Sequence, residues 1–397
     1  MDHVAWAGIV VLRLIVPLLV VASADFIGVW RAKAVRARPI DAVPIDDFEI
    51  LVPIYGSVAF LENIAFLQAY GSAVLLCTTS SESAEFLVAL EEIVARNGFR
   101  IFVGDVPRPA AGGRRATSGV VRDRLIRDAL HCVQAPYVVC IDADTITQRP
   151  LAELVGAMVS AEHDLVSIRL VPSNQGTLLA RLQAHEYQIA MDLRRVLPWL
   201  VSGACHAART SALREVMSRH SLFFQGNDVE LGILAKALGY RVGHVPFVVP
   251  TTVPERLGPW LRQRLAWSGG GVRLFLANPQ LALRHPFVWA YGLALGLCTF
   301  PLRWASLAPA GLALLAVAAL YLALCFLLQR DSWGPALLLM PLYSAVTSLV
   351  LVPLGLVWYL LTVRADHNAG FIRPNRTPSP VGVSRLPDHE APHYPTR

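Results

Sequence analysis

Asp142 and Asp144 close the stretch YVVCIDAD, residues 137–144, in which Tyr137 to Ile141 has the β-branched, apolar character of a buried strand. Side chains alternate along a strand, so the two carboxylates share one face with Ala143 opposite. Like charges so placed repel unless something positive sits between them; the competing reading is a strand exit where an aspartate starts a turn. Farther on, GNDVE (226–230) opens a predicted helix ended by Gly239, where Asn227 and Glu230 have capping-box spacing and Asp228 suits the helix dipole. GPWLRQRLAWSGGG (258–271) joins aromatics, arginines and a glycine run; as a bare pattern it describes an amphipathic helix on a bilayer surface. VSGACHAARTSALREV (201–216) puts small residues, Gly203 among them, after an apolar strand, an arrangement that suits an acceptor passing close to the backbone.

The elements that must position these residues alternate in type. FEILVPIY precedes NIAFLQAYG, AVLLCTT precedes SAEFLVALEEIVARNG, and FRIFVGD and VVRDRLIRDALHC lead into YVVCIDAD. The alternation predicts an α/β domain over 46–256 with a largely parallel sheet and helices on both faces. Ligands of such sheets bind at the carboxyl ends of strands, where Asp142 and Asp144 fall.

Of the 397 residues, 54% are hydrophobic and only 16% charged, too apolar a balance for an ordinary soluble chain. The excess lies at the two ends. Residues 4–27 are long enough to span a bilayer, with Arg13 and Pro17 inside the run. A cleaved signal peptide is the alternative, but the basic residues Arg31, Lys33, Arg36 and Arg38 follow the segment, which favours an anchor with the domain behind it in the cytosol. Toward the other end, Phe287 to Ala305, Ser306 to Gln329 and Trp333 to Val363 predict about three more crossings within 287–363, the last tilted or kinked by Pro335, Pro341 and Pro353. Residues 257–284 form an interfacial segment, and the proline-rich tail 373–397 is expected to be disordered. Six cysteines without C-x-x-C spacing suggest neither a zinc ribbon nor a disulfide framework. The net charge of +6 fits anionic headgroups better than nucleic acid, for which aromatic–basic interleaving is lacking.

Taken in order, the four motif segments resemble the membrane-integrated family 2 glycosyltransferases, the group of cellulose, chitin and hyaluronan synthases and of lipid-directed sugar transferases. The resemblance runs from about Phe48 to Gly271. The family's D-x-D motif looks like Asp142-Ala143-Asp144, its E-D or T-E-D motif like Asn227-Asp228, and its Q-x-x-R-W motif like Gln263 to Trp267. The resemblance implies a GT-A-like, Rossmann-type cytosolic domain flanked by transmembrane helices. It also implies that Asp142 and Asp144 hold Mg²⁺ or Mn²⁺ with a nucleotide diphosphate, and that Asp228 is the general base of an inverting displacement. Trp267 would then stack on an acceptor sugar with Gln263 one turn earlier on the same face, Gly203 would line the acceptor path, and Arg264 would pair with a donor phosphate.

Ala266 stands where the motif has arginine, and Arg262, four residues earlier on the same helical face, is the expected substitute. Thr78-Thr79-Ser80-Ser81 replaces the family's acidic pair after the strand VLLC. Asp105, either a nucleoside contact or a turn former, is counted with the donor-binding residues. Gly113-Arg114-Arg115 loosely matches a Gly-Lys segment, with Arg114 and Arg115 as phosphate contacts. His185-Glu186-Tyr187 is read as core and surface positions, with an acceptor groove as the other reading. The expected function is sugar transfer from a nucleotide-diphosphate donor, with a UDP-sugar first in line, to a growing polysaccharide at the cytosolic face of the plasma (inner) membrane. Single transfer to a lipid-linked acceptor and a degenerate nucleotide-sugar-binding protein are the alternatives. Expected partners are therefore the donor, a polysaccharide or lipid-linked acceptor and membrane lipids, with no nucleic acid; a polymer channel built from so few crossings would call for a homo-oligomer.

Overall fold

A computed structural model describes residues 3–34, 42–105, 118–222, 226–283, 289, 293, 307–329 and 333–365. Seven strands, β1 (Phe48–Pro53), β2 (Val74–Thr79), β3 (Arg100–Gly104), β4 (Tyr137–Ile141), β5 (Leu165–Pro172), β6 (Cys205–Arg209) and β7 (Val242–Thr251), form one sheet in the order β3-β2-β1-β4-β6-β5-β7. The first four are mutually parallel, as expected of strands joined through helices. The sheet is nonetheless mixed, because β6 runs antiparallel to both β4 and β5. Its sequence, Cys-His-Ala-Ala-Arg, has no β-branched or aromatic residue. Pairing with β4 and burial of Ala207 and Ala208 make it a strand, a tertiary effect that propensity does not report.

Apolar side chains cover both faces of the sheet. Ile50, Val52, Leu76, Val139 and Ile141 pack on one side, while Leu51, Leu75, Cys77, Val138 and Cys140 pack on the other. The helices in chain order are α1 (His3–Ala34), α2 (Ile64–Leu67), α3 (Ala84–Asn97), α4 (Ser118–Ala129), α5 (Leu151–Ser160), α6 (Leu178–Arg194), α7 (Thr210–Arg219), α8 (Asn227–Ala237) and α9 (Leu257–Ala277). Local signals account for α3: the Ser83 hydroxyl accepts from Phe86 N–H at 3.2 Å and Gly98 ends the helix in the left-handed region.

The expected 4–27 segment lies within the 32 residues of α1. Among the described residues one helix, Ala308–Leu328, is long and apolar enough to cross a membrane. The expected crossing Phe287 to Ala305 lies almost wholly outside the described residues, and the tail 373–397 lies outside them entirely. Residues 335–365 are helical in pieces: a tight turn over Pro335–Leu339, helix Met340–Val346, a wider turn over Thr347–Leu351 and helix Val352–Ala365. Pro341 sits in the opening turn of its piece, where a missing N–H costs little, and Pro353 follows directly on the wider turn. The described cysteines are free, and Cys298 lies outside the described residues.

Candidate active site

The turn after β4 is held from two sides. Asn63, fully buried, donates through Nδ2 to the carbonyls of Asp142 (3.0 Å) and Thr145 (2.9 Å), and the backbone N–H groups of Glu62 and Asn63 both donate to Ala143 O. From the other side, Asp142 N–H donates to Ala204 O at 3.0 Å. These bonds fix the Asp-Ala-Asp turn before any ligand arrives, so both aspartates are presented by a rigid mount.

Part of the positive charge that two neighbouring carboxylates require comes from the protein. Arg122 of α4 donates through Nε to Asp142 Oδ1 at 2.7 Å, through Nη1 to Asp123 Oδ1 at 2.7 Å, and through Nη2 to the Gly203 carbonyl. Burial works against its charge, but Asp142 and Asp123 outweigh that and hold the guanidinium more firmly protonated than usual. The Gly203 N–H in turn donates to Asp228 Oδ2 at 3.0 Å. A Cβ at Gly203 would meet Asp228 Oδ2 at 3.5 Å, an ordinary contact, so the glycine leaves open room beside Asp228. The structure thus brings Asp142, Gly203 and Asp228 together through Arg122.

Asp144 is exposed and accepts from Thr145 Oγ1 at 3.3 Å. Its carboxyl is nevertheless pushed above the usual range, first by desolvation against the turn and then by the charge of Asp142. Among the described residues no group of three or more His, Cys, Asp and Glu side chains could hold a metal. Two carboxylates on one fixed turn, one of them exposed and crowded by negative charge, fit a Mg²⁺ or Mn²⁺ whose remaining ligands come from substrate oxygens.

Asp228 stands in the first turn of α8, and its Oδ1 accepts from Val229 N–H at 3.0 Å. The expected capping box is absent here. Gly226, at φ +83°, begins the helix, while Glu230 is buried in an ion pair with Arg273 of α9 and accepts from Ser221 Oγ at 2.8 Å. A Cβ at Gly226 would lie 3.2 Å from Gly270 O, so the start of α8 rests directly on the glycine run of α9. Asn227 hydrogen-bonds Asp123, which joins α8 back to the Arg122 cluster.

On α9, Arg264 does not stand open for a donor phosphate. Its Nη1 donates to Glu186 Oε1 at 2.5 Å, and its guanidinium lies 4.6 Å from the Trp267 ring centroid. Glu186 Oε2 accepts from Tyr343 OH at 2.7 Å, and Tyr187 approaches Trp267 with ring centroids 6.4 Å apart. Trp267 remains 45% exposed, the condition for stacking on a ligand, while Gln263 is half-buried with its Oε1 enclosed and unpartnered. Arg262 is exposed on the opposite side of the helix from Arg264. Asp105 stands at the end of β3, where Oδ1 accepts from Ser80 Oγ at 3.4 Å, so it borders the Thr-Thr-Ser-Ser loop after β2. Arg114 and Arg115 lie outside the described residues.

Sequence reasoning missed Arg122, Asn63 and Glu82, and set Glu186 and Tyr187 aside. Arg122 had a signal: it lies at helical spacing with buried Leu125 and Ile126, a charge inside an apolar stripe. Glu82 accepts from Gly56 N–H at 3.0 Å and pins the β1 loop to the β2 loop. Nothing local in the sequence singles out Asn63, whose partners lie 79 and 82 residues away.

Comparison with known proteins bears on this arrangement. The family described as Glycosyl transferase family group 2 matches residues 137–363, more than half of the chain, from β4 through α9 to the final helix. An N-acetylglucosaminyltransferase of Rhizobium meliloti is 27% identical over 278 residues, covering 64% of this chain and 63% of that protein. Another from Azorhizobium caulinodans is 25% identical over 284 residues, covering 66% of this chain and 68% of that protein. The match to the Rhizobium meliloti protein thus spans less than two thirds of its length. The solved structure of mannosyltransferase PcManGT from Pyrobaculum calidifontis, in complex with GDP-Man and Mn²⁺, is 18% identical with a TM-score of 0.54, covering 87% of this chain and 99% of that one. At that identity the likeness speaks to the fold, a GT-A-like mixed sheet.

Proposed function

The chain belongs to glycosyl transferase family group 2, and from that premise we propose that this glycosyltransferase moves a sugar, with inversion, from a nucleotide-diphosphate donor to a growing saccharide at the cytosolic face of a membrane. The observation that carries the reading is the meeting of Asp142 and Asp228 across Gly203, with Arg122 bonded to the first and to the glycine carbonyl between them. Asp228 takes the proton of an acceptor hydroxyl as that oxygen attacks the anomeric carbon opposite the diphosphate. Both its oxygens already accept backbone N–H bonds, which fix the carboxylate's direction and leave its second lone pairs for the hydroxyl. Asp142 and Asp144 hold the Mg²⁺ or Mn²⁺ with the diphosphate; when bound, the ion supplies Lewis-acid stabilisation to the departing group. N-acetylglucosamine is the first sugar to try, because the relatives carry that name. Arg262, exposed on α9, and Arg114 and Arg115 are the further proposed donor contacts, with Asp105 at the nucleoside end.

Membrane attachment is supported by the outward leucines of the Leu307–Leu328 helix, where Leu312 and Leu315 are each 68% exposed and Leu320 and Leu327 more than half exposed. A second reading, one transfer to a lipid-embedded acceptor, is favoured by the exposed Trp267 on α9, which packs against the apolar Val352–Ala365 helix. Product size separates the two. Membranes containing the chain, given labelled UDP-N-acetylglucosamine and Mn²⁺ or Mg²⁺, should yield metal-dependent label in long saccharide. Label confined to single sugars extracted with lipid would replace the first reading by the second, and nucleotide binding without transfer would establish a degenerate binding protein.

A further inference from the structure

A cavity of about 370 Å³ opens between the end of α1, β5 and α6, lined by Lys33, Arg169, Gln188, Asp192 and Arg195. Three cations thus face one carboxylate. Asp192 is buried and already engaged, accepting from Arg169 Nη1 at 3.3 Å, so the cavity lining carries a net positive charge. The strand pairing of β5 with β7 shifts register between Ser167 and Arg169, and such an irregularity re-aims the side chain that follows it. His244 borders the cluster. Its Nδ1 bonds Ser167 Oγ at 2.9 Å and its Nε2 is enclosed without a hydrogen-bond partner. Burial, then Arg194, Arg169 and Arg195, push the imidazole down to about 3, so it stays neutral and adds no further charge beside the cluster.

The location is as informative as the charge. The Lys33 ammonium donates to the carbonyl of Leu328, the last residue of the Leu307–Leu328 helix, so the cavity lies at the level where two apolar helices end. None of its lining residues belongs to the cluster of Asp142, Arg122, Gly203 and Asp228. We propose that this cavity binds one phosphate group at the membrane boundary, carried by an anionic phospholipid headgroup or by a free soluble phosphate. Guanidinium groups match phosphate oxygens in geometry and charge, and an ammonium at the rim adds a point charge where headgroups lie. The proposal rests on the membrane-bound reading of the chain and is independent of the sugar transferred.

The full chain, purified in detergent, would be placed in nanodiscs of phosphatidylcholine with or without phosphatidylglycerol, and retained lipid counted by native mass spectrometry. In parallel, inorganic phosphate would be titrated into lipid-free protein by calorimetry. One bound phosphatidylglycerol or one phosphate is expected, weakened about fivefold by each of Arg169→Gln and Arg195→Gln, the weight of one basic side chain at an anionic surface. Arg241→Gln, at an exposed ion pair with Glu162, should leave binding unchanged. Arg169→Lys and Arg195→Lys keep the charge, so binding that survives in them while failing in the glutamine variants excludes misfolding as the cause. Retention of lipid alone assigns the headgroup, and heat from phosphate alone assigns the soluble ion. Equal lipid retention in wild-type and glutamine variants together with no phosphate heat overturns the proposal. Failure to incorporate into nanodiscs of either composition would count against the membrane reading, leaving calorimetry to decide the phosphate site.

Discussion

Asp144 carries a cost that its neighbour Asp142 does not share in full. Arg122 is bonded to Asp142 at 2.7 Å, whereas Asp144 has the Thr145 hydroxyl at 3.3 Å and its own backbone N–H but no cation bonded to it among the described residues, and its carboxyl is raised above its ordinary value of 3.8 by desolvation and by Asp142. An acid with a raised folded-state pKa binds its proton more tightly folded than unfolded, so stability falls as pH rises from the unfolded value through the folded one. Asp144→Asn should therefore raise Tm at pH 7 in metal-free buffer, and the gain should vanish as pH drops below about 4, where the carboxyl is protonated in both states. The same variant should lose metal-dependent donor binding. A Tm at pH 7 no higher than wild type, or a gain that widens on acidification, would contradict this account of the turn. The two aspartates were legible in sequence because they end an apolar strand. Arg122 stood out only as a charge inside an apolar stripe, and its bond to Asp142 was not legible because it crosses from a helix to a strand end that only the sheet brings near.

Among the elements, α6 has the most to hold together. It packs on β5, on α1 and on the Pro335–Leu339 turn, with Leu182, Ile189 and Leu193 buried against Phe26, Val29, Trp260 and Met340. His185 bonds Gln329, Glu186 bonds both Arg264 and Tyr343, and Tyr187 meets Trp267, so three consecutive residues reach four different partners. Consecutive positions on a helix point about 100° apart, and sequence periodicity sorts such residues into core and surface without seeing a second helix on the polar side. Glu186→Gln leaves Arg264, only 7% exposed, without its counter-charge. The loss should cost about 2–3 kcal/mol, read as a lower Tm, and should raise the acceptor KM as α9 loses its anchor. Adding Arg264→Gln should restore part of the Tm by removing the stranded charge. If the double variant melts lower than Glu186→Gln alone, Glu186 does not act through Arg264. Strands β1 to β4 and helices α3 and α4 were readable from alternation and caps, whereas α8 forms where expected but without the capping box that its sequence suggests. β6 was not, since its alanines take their conformation from the strands on either side.

Across the whole molecule, α1 and the Leu307–Leu328 helix lie side by side in the same direction, with Val16 against Ala310, Phe26 against Tyr321 at 5.0 Å and Lys33 bonded to Leu328. Both carboxyl ends therefore emerge beside the catalytic domain, an arrangement that hydropathy, which registers apolar length but not pairing, had no means to reveal. From there α9 carries contact inward: Gly355 of the last helix rests on Ser268 and Gly269, Gly270 on Gly226, and Arg273 on Glu230. The Val352–Ala365 helix thus braces, through α9, the helix start from which Asp228 projects. The most direct test of the central claim compares wild-type chain with Asp228→Asn in the same membranes, measuring transfer of labelled N-acetylglucosamine from its UDP donor and, separately, binding of UDP in Mn²⁺. Asp228→Asn should bind UDP as wild type does while transfer falls by about 100-fold or more, the usual weight of a general base. Transfer by Asp228→Asn within a few-fold of wild type would contradict that claim.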